Sequence, residues 1–215
     1  MFLSRIFTLY PEYFPGYLNK GLFGKAMNEK IWNLETVNIR DYTFDKHKTV
    51  DDTPYGGGSG MIIKADVLAK SLDENIKEKE KIIYLSPKGK LFDHKYAKEL
   101  STEKTLNLIC GHFEGIDERI IQNRNIEEVS IGDFVLSGGE VATFVVLDAI
   151  LRFIPGVLGN ENSTQDESFE NGLLEYPQYT KPQNWEDKSV PDVLLSGDHA
   201  KIKDWRLSQS EAITR

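Results

Sequence analysis

Three stretches of the sequence combine residue types that could hold a ligand: "YLSPKG" (84–89), "CGHFEGIDERI" (110–120) and "SIGDFVLSGGE" (130–140). Each passes from an apolar run into Gly, Pro or Ser. Glycines at such points let backbone N–H and C=O groups come close to a bound molecule. Groups of that kind can read an adenine edge without a charged side chain. One such stretch alone needs no more than turn geometry to explain it; three in one chain point to a binding site as well. The third stretch ends in Glu140 and carries no lysine, so it lacks what a phosphate-cradling turn supplies.

Charged residues near these stretches each have an ordinary reading beside a chemical one. Glu114, Asp117, Glu118 and Arg119 fit a helix start, with acids at its positive end and a surface ion pair. Asp133 fits a turn, Arg152 a solvent-facing helix end, and Asp166 and Glu167 a solvated polar segment. Spacing alone leaves these readings open.

Several familiar chemistries are unsupported. "SPKGK" does not complete a P-loop, and "YGGGSG" follows "DDTP" where a dinucleotide fingerprint would need a strand. His47, His94, His112 and His199 are far apart, and no Cys/His spacing marks a structural zinc site. No G-x-S-x-G elbow is present. The single cysteine, Cys110, ends an apolar run and reads as a buried, inert thiol.

The elements that must position these residues follow from periodicity. "FLSRIFTL", "IWNLETVNI", "KIIYLS", "TLNLIC" and "EEVSIGDFVL" read as strands. Helical patterns lie between some of them: 65–80 with a solvated "KEKEK" end, "DHKYAKEL", and 140–154. Alternation of this sort predicts an α/β domain with a largely parallel sheet, and ligands bind at the carboxyl edge of such sheets. "DKHKTVDDTPYGGGSG" (45–60) reads as a long loop, and "GNENSTQDESFENG" (159–172) as a polar linker. Beyond the linker, "GDHAKIKDWRLSQS" reads as a helix that Asp198 can cap.

The 215 residues suffice for one main core plus a small appendage. A net charge of −8 argues against bulk electrostatic attraction to nucleic acid. One cysteine rules out an internal disulfide framework and fits a reducing cytoplasm. Arg5, Pro11 and Glu12 make the opening a poor signal peptide, and no apolar run is long enough to span a bilayer. The setting expected is soluble and cytoplasmic.

"TVDDTPYGGGSGM", "YLSPKGKLF", "CGHFEGIDERI", "SIGDFVLSGGE…RFIPGVLGN" and "VPDVLLSGDHAKIKDWRL", in that order, resemble the bacterial tRNA (guanine-N1)-methyltransferases. The likeness runs along nearly the whole chain. It implies a SPOUT-class α/β domain with a deep trefoil knot and a small helical C-terminal domain. Such knots are so rare that no pattern in the residues would have proposed one. The family binds S-adenosylmethionine in the knot, works as an obligate homodimer, and builds its active site from the knot of one subunit and the linker and C-terminal domain of the other. It methylates N1 of the guanine just 3′ of the anticodon, tRNA position 37. The implied organisation is a knotted cofactor domain over 1–158, a linker over 159–174, and a tRNA-binding domain over 175–215 that lacks the family's last helices.

Matched by motif, the resemblance assigns Tyr84, Leu85, Ser86 and Pro87 to the cofactor, with Gly111, Glu114 and Gly115. From the third stretch it assigns Ser130, Ile131, Gly132, Asp133, Phe134 and Val135, then Leu136, Gly138 and Gly139. Guanine N1 must lose its proton to attack, and a carboxylate suits that task. The family's base falls in Asp166-Glu167-Ser168-Phe169, where the order of the two acids is reversed; register favours Glu167 over Asp166. Arg152 matches an arginine that would stabilise charge on the guanine oxygen or hold a phosphate. No metal ligand set is expected, and a divalent-ion requirement cannot be read from the residues.

Four residues depart from the family's pattern. His112-Phe113 replaces Arg-Tyr, Glu175 replaces an Asp, and Gln178 stands where many members carry His. Two other readings stay open: a non-catalytic SPOUT-fold module that binds RNA or a nucleotide, and a SPOUT methyltransferase with a different RNA target.

Overall fold

The computed structural model describes residues 1–159, 168–169 and 172–214. The chain divides into two compact units, Met1–Glu161 and Asn162–Arg215.

In the first unit the elements run β1 (Phe2–Thr8), α1 (Gly21–Asn28), β2 (Trp32–Asn38), β3 (Asp51–Asp52), β4 (Ile62–Ile63), α2 (Ala65–Asn75) and β5 (Lys81–Leu91). They continue with α3 (His94–Leu100), β6 (Thr105–Ile109), α4 (Glu118–Asn123), β7 (Glu127–Ser130) and α5 (Gly139–Leu151). Five strands form one sheet in the order β2-β1-β6-β5-β7, with every pairing parallel. The α/β class with a parallel sheet expected from the sequence is therefore the one observed.

Alternation along the strands divides the core in two, because successive side chains point to opposite faces. Ile6, Ile83 and Leu108 pack on one face with Leu100 of α3 and Val146, Leu147 and Ile150 of α5. Their neighbours Phe7, Tyr84 and Ile109 pack on the other with Val67, Leu68 and Leu72 of α2 and Ile120 of α4. Helices on both faces are what an all-parallel sheet requires.

Three boundaries differ from the periodicity. The helix expected over 65–80 ends at Asn75, after its last buried residue, Leu72. Lys79 has a left-handed φ of 71°, so the "KEKEK" segment turns instead of continuing. The strand expected through Leu136 stops at Ser130, where the ladder to β5 runs out. The long loop 45–60 is partly ordered by β3 and β4, which pair antiparallel at its base.

The most irregular strand is β5. Leu85 and Lys90 both pair with Val129, so residues 86–89 leave the ladder as a loop before the strand resumes. Gly89 closes that loop because a Cβ there would strike the backbone of Val129 and Glu128.

The second unit contains the hairpin β8 (Asn184–Trp185) and β9 (Lys188–Ser189), then α6 (Asp192–Leu195) and α7 (His199–Thr214). Asp198 accepts a hydrogen bond from the Lys201 N–H at 3.2 Å, so it caps α7. Asp166 and Glu167 lie outside the described residues.

Candidate active site

Parallel pairing puts the 86–89 loop of β5 and the ends of β6 and β7 on one edge of the sheet, and the three glycine-bearing stretches meet there. They enclose a cavity of ≈ 300 Å³. Fifteen of the sixteen residues expected at a cofactor line it: Tyr84 to Pro87; Gly111, Glu114 and Gly115; Ser130, Ile131, Gly132, Phe134, Val135, Leu136, Gly138 and Gly139. Asp133 does not line it. It sits in the turn after Gly132, which is the ordinary reading of its type.

Backbone contacts hold the walls together. The N–H of Gly139 donates to the carbonyl of Gly111 at 2.9 Å, and His112 bridges Gly138 in antiparallel fashion. A Cβ on Gly139 would stand 2.6 Å from the Cα of Cys110, so only glycine lets α5 start against the end of β6. The N–H of Phe92 donates to Ser130 at 2.7 Å, tying the end of β5 to the third stretch. The second stretch is held from outside as well: Glu114 N–H donates to Met61 at 2.9 Å and Ile63 N–H to Gly115 at 3.0 Å. The glycine-rich loop ending at β4 therefore braces the wall that carries Glu114.

The charge of the lining is one-sided. Glu114, Glu118 and Glu128 contribute carboxylates, and among the described residues Lys88 and His112 are the basic side chains that line the cavity. Such a lining favours a cationic ligand and opposes phosphate. Tyr84 is buried in the wall, and burial first, then the Glu128 charge, pushes its phenol up to about 12. It stays a neutral donor at physiological pH.

Arg152 does not line the cavity. It caps the C-terminal end of α5, whose first turn forms the wall. Thirteen residues of helix separate the two ends by about 20 Å. Glu175 and Gln178, two of the departures, meet each other: the Gln178 amide donates to Glu175 at 2.6 Å. The Glu175 N–H in turn donates to Ser168 Oγ at 2.9 Å.

The third glycine stretch leads to a residue that periodicity did not single out for chemistry. Glu140 is only 4% exposed. It accepts from Thr8 Oγ1 at 2.6 Å and meets His112 Nε2 at 2.8 and 2.9 Å. An acid in the first turn of a helix normally reads as a partner of the helix dipole, which hid its burial. The one signal was its place at the head of a predominantly apolar helix. Cys110 is fully buried with Sγ 3.2 Å from Thr143 Oγ1, and burial, then Glu140, pushes its thiol well above the usual range. It is no nucleophile.

Fold and cavity define an α/β protein with a predominantly acid-lined cavity at the carboxyl edge of a parallel sheet. The family model described as "tRNA (Guanine-1)-methyltransferase TrmD" matches residues 2–215. The chain is 74% identical, over 100% of its length and 94% of the relative's, to a protein of Pelagibacter ubique (strain HTCC1062) named tRNA (guanine-N(1)-)-methyltransferase. Proteins of the same name from Bartonella tribocorum and Brucella canis are 55% and 51% identical, each over 100% of this chain and 92% and 87% of their own. The chain belongs to the tRNA (guanine-1)-methyltransferase family.

Proposed function

We propose that the protein transfers a methyl group from S-adenosylmethionine to N1 of the guanine at tRNA position 37. The observation that carries this reading is the convergence of three strand-end loops on one cavity with a predominantly acidic lining. The lining fits that co-substrate. Leu85, Ile131 and Leu136 offer apolar surface for a base, backbone groups of the loops offer hydrogen bonds, and Glu114, Glu118 and Glu128 suit an ammonium and a sulfonium. S-adenosylmethionine supplies an electrophilic methyl group and needs no metal to do so.

Glu167 takes the N1 proton as the guanine lone pair forms the new bond; Asp166 beside it is the second candidate. Arg152 stabilises negative charge on the guanine oxygen. At about 20 Å from its own chain's wall, Arg152 serves the cavity of a second copy, in keeping with a homodimer. The surface of α5 supports that assembly. Val141 is 60% and Val145 46% exposed on a helix whose other faces are buried, and Tyr13, Tyr17 and Leu22 are exposed nearby in sequence to α1. Apolar side chains left exposed side by side on a helix face mark a surface suited to a partner.

The reading includes the trefoil knot. Support comes from the path after β7: β5 separates β7 from β6, yet residues 131–138 bring the chain back to Cys110 and Gly111 at the end of β6. It also includes a linker over 159–174, a tRNA-binding part over 175–215, and action in the cytoplasm, where tRNA is found. Among the described residues no helix is long and apolar enough to cross a membrane.

The test uses labelled S-adenosylmethionine and two tRNA transcripts, with guanine or adenine at position 37. Label entering only the guanine transcript, and mapping to N1, is expected. Transfer to both transcripts favours a different RNA target, and transfer to neither, with cofactor still bound, favours the non-catalytic module.

A further inference from the structure

The buried carboxylate at the head of α5 has no role in the chemistry above, yet it joins a residue of the cavity wall, His112, to Thr8 at the end of β1. Thr8, at the end of β1, accepts a hydrogen bond from the Tyr10 N–H at 2.9 Å. Its single proton is therefore free to go to Glu140, 2.6 Å away. His112 Nε2 lies 2.8 Å from Glu140, and the tautomer with its proton on Nε2 donates to the carboxylate. His112 belongs to the cavity wall, while Glu140 and Thr8 do not. The imidazole is also flanked by Tyr10, with ring centroids 5.0 Å apart, and by Phe113 at 6.2 Å.

We infer that Glu140 is a positioning residue for the methyl donor: it clamps the Gly111–Gly115 wall, through His112, to the 138–139 turn and to the end of β1. The inference rests on reading the cavity as the S-adenosylmethionine site. A buried carboxylate is tolerated when paired and hydrogen-bonded, so the clamp holds in one geometry and not several. Its strength matters because the glycines it braces, Gly111 and Gly115, have no side chains to hold the wall in shape. The role asks only for a hydrogen-bond donor at position 112. Arginine, always protonated and with a longer reach, meets that demand; leucine does not.

Calorimetry with S-adenosylhomocysteine on the full chain tests this, with Glu140→Gln, His112→Leu, His112→Arg and the Glu140→Gln/His112→Leu double variant. His112→Leu and Glu140→Gln are expected to weaken binding about tenfold, the loss of one charge-assisted hydrogen bond. The double variant should be no weaker than the worse single one, because the two residues act as one unit. His112→Arg should stay within about threefold of the unaltered protein. In turnover assays KM for S-adenosylmethionine should rise while kcat at saturation and KM for tRNA hold, a split that general loss of structure does not produce. Thr8→Val, outside the wall, gives a milder version should His112→Leu fail to fold. Unchanged binding in Glu140→Gln, multiplicative losses in the double variant, or a His112→Arg as weak as His112→Leu each overturn the clamp. Failure of the unaltered protein to bind S-adenosylhomocysteine overturns the reading of the cavity, and the clamp falls with it.

Discussion

The two compact units differ in what holds them. Met1–Glu161 has two apolar clusters, one on each face of its sheet, with Ile6, Phe7, Leu68 and Leu147 wholly enclosed. In Asn162–Arg215, Ser210 is the one buried side chain among the described residues, and Tyr179, Trp185, Leu195, Leu207 and Ile213 are exposed. The first unit therefore has a hydrophobic core of its own on both faces of its sheet. The second, with fewer than 60 residues and little enclosed apolar surface, has the character of a part completed by what it meets. The proposed chemistry follows the same division, with the methyl donor held in the first unit and the base supplied from the second.

The sharpest way to break that comparison is Glu167→Gln. Transfer to tRNA should fall by about 10² to 10⁴, while S-adenosylhomocysteine binding, measured calorimetrically, stays unchanged. If this variant remains active and Asp166→Asn does not, the base is Asp166 and the register across the reversed pair is wrong.

A second test asks whether the same substitution costs differently in the two units. Leu147→Ala, in the cluster beneath α5, should cost about 3 kcal/mol by denaturant unfolding. Leu207→Ala, half exposed on α7, should cost under about 0.5 kcal/mol. Equal costs would show that α7 is packed more tightly than its exposure says.

The smallest expected effect concerns surface charge. Arg124, at the end of α4, grips Asp73 of α2 with two hydrogen bonds of 2.7 and 2.8 Å. Those bonds hold the Asp73 carboxyl below its ordinary value of 3.8. A depressed carboxylate contributes stability above that value and loses it as pH falls below. Both side chains are well exposed, so screening limits the pair to about 0.5 kcal/mol. Asp73→Asn should be less stable by about that much at pH 7, with the gap closing in acid. A gap that persists at low pH would mean the loss is one of packing, not charge.

Much of the first unit was legible in the residues. Its five principal strands follow runs of β-branched and aromatic residues, and α3 and α5 follow apolar periodicity. The end of α2 was not, because helix propensity in "KEKEK" is good and only the lack of anything to bury stops the helix. The hairpin at 184–189 was missed for a related reason. Glu186 and Asp187 take left-handed φ values of 49° and 61°, a turn normally signalled by Asn-Gly. The cavity residues were named by likeness to a family, since turn glycines and ligand-facing glycines look alike in a sequence.

By itself, then, the sequence determined the parallel α/β class, the edge at which a ligand would sit, and, through its motifs, the family. Those features rest on local propensity and period, which a linear string records. Tertiary structure alone decided that Glu140 is buried against His112 and Thr8 and that Gly139 lies against Cys110. Each depends on which segments, distant along the chain, come into contact, and residue spacing carries no record of that.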